Sequence, residues 1–272
     1  MRLRPFIDPL PIPKVLQPKE RTKDGTYYEV KMVQFYHQFH SHLKPTLVWG
    51  YEGQVPGPTI EVEQGETCHV KWINNLPERH FLPVDRTLHS SGHDMPEVRT
   101  VVHLHGAEVE PDSDGHPDAW FTNNFKKCGP RFAKKIYTYP NKQRPAMLWY
   151  HDHALGITRL NVYAGLAGLY IIRSEEERAL NLPSGIYEIP LVIQDKSFND
   201  DGSLFYPSTA EVENPPPDFP YPSITPGFAG DTIIVNGKAW PYLEVEKRKY
   251  RFRILNASNE RFYRMKLDSG QH

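Results

Sequence analysis

The chain has 272 residues, enough for one large domain or two of ordinary size with ample core. Its 32 Lys and Arg nearly balance its 33 Asp and Glu, leaving a formal net charge of −1, so there is no electrostatic case for a nucleic acid or an anionic membrane as partner. No stretch approaches the roughly 18 apolar residues of a membrane span, and Met1 to Pro9 has no apolar run of signal-peptide length, so cytoplasmic synthesis without export is the expectation.

The 26 prolines, the 12% of aromatic residues and the short apolar segments between turn residues predict an all-β sandwich architecture. Residues 1–26 are Pro-rich and aperiodic, as in an extended arm laid over a domain. A first domain is expected over 27–173. Within it, strands are predicted at Tyr28–Phe35, Thr59–Val62, Thr67–Ile73, Val98–Leu104, Ile136–Tyr139, Met147–Tyr150 and Gly168–Ile172. Pro77 to Pro96 reads as loop, and Leu155 to Tyr163 as a short helix. Ser174-Glu-Glu-Glu-Arg178 lies in a linker over 174–183 and reads as a solvated connection. A second domain over 184–272 carries strands at Ile189–Gln194, Thr232–Val235, Tyr250–Leu255 and Tyr263–Leu267, interrupted by a Pro-rich excursion at Glu213–Pro217. A strand running into Ser269-Gly270 reads as a hairpin entry, so this second domain is expected to be incomplete. Cys68 and Cys128 fit no Cys-X-X-Cys pattern and read as free structural thiols.

Two His-X-His pairs, His103-Leu104-His105 and His151-Asp152-His153, each follow an apolar, β-favouring run. Residues i and i+2 of a strand face the same way, so each pair offers two imidazoles side by side, and two such strands together offer four. Neutral imidazole is the commonest nitrogen ligand for transition metals. Asp118 and Asp152 are candidates to fix the orientation of the histidines. Trp120 and Trp149 are expected to close the core around the site, and Gly106 to permit close backbone approach. His37, His40 and His42, like His89 and His93, read as solvated loop. His116 neighbours the pairs only in sequence, and His272 reads as a chain end.

Several long stretches resemble the multicopper oxidases, and within them the spore-coat type of bacterial laccase. They are Trp49-Gly-Tyr-Glu-Gly53 with Pro56-Gly-Pro-Thr-Ile60, His103-Leu-His-Gly106, Asp112-Ser-Asp-Gly115 leading to Ala119-Trp-Phe121, Leu148-Trp-Tyr-His-Asp-His153, Arg159-Leu-Asn-Val-Tyr-Ala-Gly165, Asp200-Asp-Gly-Ser-Leu-Phe-Tyr-Pro207, Val235-Asn-Gly-Lys238 and Trp240-Pro-Tyr-Leu243. The resemblance implies cupredoxin-like Greek-key β-sandwich domains, the first complete and carrying half of a trinuclear copper site, the second truncated. It implies a type 2 copper on His103, a type 3 copper pair on His105, His151 and His153, and Asp114 as an acid supplying protons. Dioxygen and a phenol or aromatic amine are the implied reactants. The family's remaining motifs, His-X-X-His-X-His and His-Cys-His, are absent, so type 1 copper ligands are missing. The chain alone is expected to be inactive without a C-terminal remainder, as a second chain or missing segment.

Two other readings compete. A cupin-like mononuclear metal enzyme would use His103, His105 and Glu108 or Glu110. A non-enzymatic coat or copper-holding fragment would present an exposed apolar face and be poorly soluble.

Overall fold

The structure, a computed structural model, describes residues 3–207 and 228–267. In chain order the strands are β1 (Glu20–Thr22), β2 (Gly25–His37), β3 (Thr46–Tyr51), β4 (Gly57–Glu63), β5 (Cys68–Asn75), β6 (Val102–His105), β7 (Ile136–Tyr139), β8 (Met147–Asp152), β9 (Ala167–Arg173), β10 (Glu188–Phe198), β11 (Leu204–Phe205), β12 (Thr232–Val235), β13 (Lys238–Ala239) and β14 (Arg251–Asn256). Two short helices, α1 (Thr158–Ala164) and α2 (Glu175–Ala179), flank β9.

These strands form three sheets. The first runs β1-β2-β5-β7 with β3 also on β2, the second β4-β9-β8-β6, and the third β11-β10-β12-β13 with β14 also on β10. The first two face each other as a sandwich. Alternation along β2 turns Thr26, Tyr28, Val30 and Met32 inward, and the apolar ones meet Ile60, Val62, Leu104, Leu148, Tyr150, Tyr170 and Ile172 of the second sheet in one buried cluster. At its centre Tyr51, Trp72 and Tyr150 pack with ring centroids 4.8–5.6 Å apart, the range that favours edge and tilted aromatic contacts. The cluster continues into the third sheet through Leu204, Tyr206, Ile234 and Ala239.

The described residues before β2 run along the domain with only bridge-type pairing and the short β1. They are tied to both regions, with Leu16 N–H donating to Thr59 O at 2.8 Å and Leu10 N–H to Tyr242 O at 2.7 Å. The last of them form β1, which pairs with β2. Three sequence expectations need correction. Ser174–Arg178 is only in part a solvated connection: Glu175, Glu176 and Arg178 are exposed, but Ser174 caps α2 by accepting the Glu177 N–H, and Glu177 receives Arg251 and Arg253, both at 2.6 Å. Glu188 receives the same Arg253 and also Arg173, the latter at 2.7 Å, so partly buried ion pairs join β9, α2, β10 and β14. Tyr263–Leu267 is not a strand. No described strand pairs with it, and Met265 and Leu267 stand exposed. The strand expected from Val98 begins only at Val102, because Thr100 exchanges both its backbone hydrogen bonds with Phe121 instead. Strand β3 was not anticipated, and Glu213–Pro217 lies outside the described residues. The two cysteines are free, Cys68 buried and Cys128 exposed.

Lys196 on β10 is fully enclosed, donates to the carbonyl of Tyr163 at 2.5 Å and lies 4.4 Å from that ring's centroid. Burial pulls its ammonium down to about 7, partly opposed by the adjacent Asp195 charge. Below pH 7 both folded and unfolded chains carry this proton. Between about 7 and the usual 10.5 only the unfolded chain does, so this group makes stability rise with pH there. Lys196→Met should therefore be the more stable form near pH 6, by about 1–3 kcal/mol. Its advantage should shrink toward pH 9.5, as read by denaturant titration at the two pH values.

Candidate metal centre

The site is built by one antiparallel ladder. In the pairing of β6 with β8, His103 stands opposite His151 and His105 opposite Trp149. Directly opposed residues share a face, as do i and i+2, so His103, His105, Trp149 and His151 project together. His153 lies just past the end of β8, where its N–H donates to Val101 O at 2.8 Å and extends the same ladder. The intervening Val102, Leu104, Leu148 and Tyr150 turn into the core.

All four sequence-predicted histidines thus come together. Ring centroids are 4.8 Å apart for His103 and His153, 5.5 Å for His103 and His105, 5.5 Å for His105 and His151, and 5.7 Å for His151 and His153. Trp149 lies against two of them, 5.4 Å from His105 and 4.1 Å from His151. Trp120 packs behind the pairs with Val101, Ala154 and Ile157. Of the two tryptophans, Trp149 touches the histidines and Trp120 packs in a neighbouring apolar cluster.

Backbone carbonyls rather than carboxylates hold the rings. His103 Nδ1 donates to Asp114 O at 2.5 Å, His151 Nδ1 to Asp152 O at 2.7 Å and His153 Nδ1 to Gly115 O at 3.2 Å. Each therefore presents an unprotonated Nε2, the state a metal ligand requires. His105 differs: its Nδ1 faces His151 Nε2 at 3.2 Å. Two imidazole nitrogens bound to one ion at about 2.0–2.1 Å in tetrahedral geometry lie a little over 3 Å apart, so this pair fits a shared ion. Burial pushes the imidazolium forms of His105, His151 and His153 down, His151 to about 3, which keeps their lone pairs free.

Among the described residues no three His, Cys, Asp or Glu side chains converge on one point. The four rings instead border a common space, with one nitrogen pair, His105 Nδ1 and His151 Nε2, at ligand spacing. The mononuclear alternative is not favoured, since among the described residues no carboxylate joins His103 and His105 in a group of three.

Asp114 lies beside the site, its Oδ1 3.4 Å from His103 Nδ1 and its side chain 46% exposed, within reach of both solvent and the first pair. Asp118 makes no hydrogen bond to the four histidines; its N–H donates to His116 instead. Asp152 contributes differently from expectation. Its carbonyl holds His151, while its fully buried carboxylate accepts Val101 N–H at 3.0 Å, Ala154 N–H at 3.1 Å and Asn161 Nδ2–H at 2.9 Å. Burial pushes this carboxyl up to about 7 against those hydrogen bonds and the Arg99 charge. Sequence reasoning missed His80, buried beneath α1 with its Nε2 3.1 Å from Asn161 Oδ1; nothing in its sequence surroundings marks it.

Among the described residues the other histidines join no group of three His, Cys, Asp or Glu, and His272 lies outside the described residues. His40 is fully buried and bonded to Arg4 O, and His37 closes β2 against Gly237 O, so these two are structural rather than solvated. His42, His89, His93 and His116 are exposed.

A family model described as multicopper oxidase matches residues 36–98 and 93–177. The chain is 58% identical to a laccase of Bacillus subtilis over 99% of its own length and 53% of the relative's. It is 46% identical to a laccase of Haloferax volcanii over 98% of its length and 45% of the relative's. The chain therefore spans about half the length of these relatives. It also superposes on the crystal structure of a laccase from Pediococcus acidilactici with a TM-score of 0.72 at 29% identity, covering 95% of this chain and 48% of that one. For the McoA multicopper oxidase of Aquifex aeolicus the TM-score is 0.66, also at 29% identity, covering 93% and 47%.

Close approach is needed at Gly115, whose φ is +78° and whose missing Cβ would lie 2.1 Å from Val102 O. The Gly115→Ala variant should lose at least about 1–3 kcal/mol of stability from backbone strain, with the clash adding to it. Chemical denaturation checks the loss. The His153 imidazole resonance should move at the same time, because its carbonyl partner is displaced.

Proposed function

Because this chain belongs to the multicopper oxidase family, we propose that it is the N-terminal portion of a laccase-type oxidase. The enzyme would take one electron and one proton from each of four phenols or aromatic amines and reduce dioxygen to two waters. Copper, when bound, supplies the one-electron redox chemistry and the place where dioxygen is reduced. His103 serves the type 2 copper, and His105, His151 and His153 serve the type 3 pair. The type 1 ligands and the remaining histidines come from the rest of the protein, as a C-terminal segment or a second chain. A location in the spore coat goes with the spore-coat branch of the resemblance.

The observation that carries the reading is the ladder setting His103 opposite His151, with His105 Nδ1 and His151 Nε2 3.2 Å apart. Paired but non-converging imidazoles are what a multi-ion site shared with another segment needs, and imidazole accommodates copper well. The chain's own residues have separable tasks. The carbonyls of Asp114, Gly115 and Asp152 fix three ring tautomers. Trp149 covers one side of the His105–His151 pair. Asp114, with one oxygen near His103 and a half-exposed side chain, passes protons from solvent toward the reduction.

A Cu(II) titration of the metal-free 272-residue chain tests this, followed by electron paramagnetic resonance. Nitrogen-coordinated Cu(II) is expected, with no phenol turnover by the chain alone. His151→Ala should weaken binding at least as much as the roughly 10–100-fold typical when residues that merely hold a ligand are removed. Cu(II) binding that survives His105→Ala and His151→Ala unchanged would sink the reading.

A further inference from the structure

The residue between the two histidines of each pair must face the core, because strand side chains alternate. In the first pair that residue is Leu104, a hydrocarbon at home in the buried cluster. In the second it is Asp152, a carboxylate with no solvent exposure. Burying a carboxylate is costly, and it persists only when hydrogen-bonded. Here the three groups that satisfy it lie at defined points of the metal centre. Val101 immediately precedes β6 and stands two residues before His103. Ala154 follows His153. Asn161 belongs to α1, and its Nδ2 also donates to Arg99 O at 3.1 Å.

Along the relay from His80 through Asn161 to Asp152 the direction of each hydrogen bond follows from its donors. Leu82 N–H donates to His80 Nδ1 at 2.9 Å, so the His80 proton sits on Nε2 and points at Asn161 Oδ1, 3.1 Å away. That fixes the Asn161 amide with its Nδ2 toward Asp152. All three groups on Asp152 are donors, so a protonated carboxyl would find no acceptor among them. The result is a rigid strap running from the 77–96 loop through α1 to both His-X-His pairs.

We propose that Asp152 is a positioning residue for the metal centre: its carboxylate, aimed by Asn161 and His80, sets the separation of the two His-X-His pairs and with it the alignment of His103, His151 and His153. The inference rests on the copper reading for its consequence but not for its geometry. Two readouts on the 272-residue chain therefore separate them. The first is the long-range proton–nitrogen spectrum of the imidazoles in the metal-free chain, which reports tautomer and hydrogen bonding at each ring. The second is Cu(II) affinity and the electron paramagnetic resonance of the loaded chain.

Asp152→Asn replaces one acceptor by an amide donor that must face another N–H, and Asn161→Leu removes the strap's middle. Both should shift the His151 and His153 imidazole signals and weaken Cu(II) binding about 10–100-fold. His80→Gln keeps an N–H donor and should retain wild-type behaviour, whereas His80→Leu should not. Ile234→Ala, a cavity in the third sheet, controls for general destabilisation and should lower the melting temperature without moving the imidazole signals. Should Asp152→Asn fail to fold, Asn161→Leu and the His80 pair carry the test. The proposal is overturned if folded variants show wild-type imidazole spectra and Cu(II) parameters, or if Ile234→Ala moves them equally. A wild-type chain that binds no Cu(II) would instead defeat the copper reading, and the metal-free spectra would still decide this one.

Discussion

The site depends on a single register, the antiparallel pairing that puts His103 across from His151. A slip of one residue would send every side chain of β8 to the opposite face, turning the histidines inward and Leu148 and Tyr150 out. What prevents the slip is apolar. Tyr150 is fully buried against Tyr51 and Trp72, and its hydroxyl donates to Pro58 O at 2.6 Å. The hydrophobic core and the imidazole array are thus two sides of one constraint. Burying Leu104 and Tyr150 correctly is what brings four imidazoles to the same surface.

Register alone would leave the rings free to rotate. One loop removes much of that freedom by addressing both pairs at once. Consecutive carbonyls, Asp114 O and Gly115 O, accept from His103 of one pair and His153 of the other. The loop is held in turn by Ser113, buried and accepting the Thr138 N–H, and by the Asp112–Lys134 ion pair at 2.8 Å. Gly115 is required where the loop crosses β6, because any side chain there would meet the Val102 carbonyl. The orientations of two of the four rings, His103 and His153, are therefore inherited from this turn.

Much of this was legible in the sequence, for identifiable reasons. The His-X-His pairs stand out because strand alternation converts a two-residue spacing directly into side-by-side imidazoles. The all-β class follows from short apolar runs between turn residues. Other features depend on contacts distant in sequence. Strand β3, with Trp49 and Gly50 at its heart, is almost continuously buried, so it shows no alternation to read. The Glu177–Arg253 and Glu188–Arg253 pairs turn a charged segment that looks solvated into part of the packing between β9 and the third sheet, because partners 65 to 76 residues away lie against it. His80 carries no local signal at all. Its partner Asn161 lies 81 residues away, and only the folded chain brings them together.

The asymmetry between Leu104 and Asp152 bears on what the buried polar groups are for. A hydrocarbon at the second position would avoid the desolvation of a carboxylate, and well-packed apolar replacements of buried charges are often no less stable. Stability therefore does not explain Asp152. Its three donors do, since a carboxylate tolerates little displacement of any of them without leaving a buried N–H unpaired, at about 1–3 kcal/mol each. An apolar contact has no such steep dependence on position. The chain thus uses hydrocarbon packing to choose the register and a buried, hydrogen-bonded carboxyl group to fix distances within it. Those distances matter most between two strands whose outward faces hold histidines arranged in pairs.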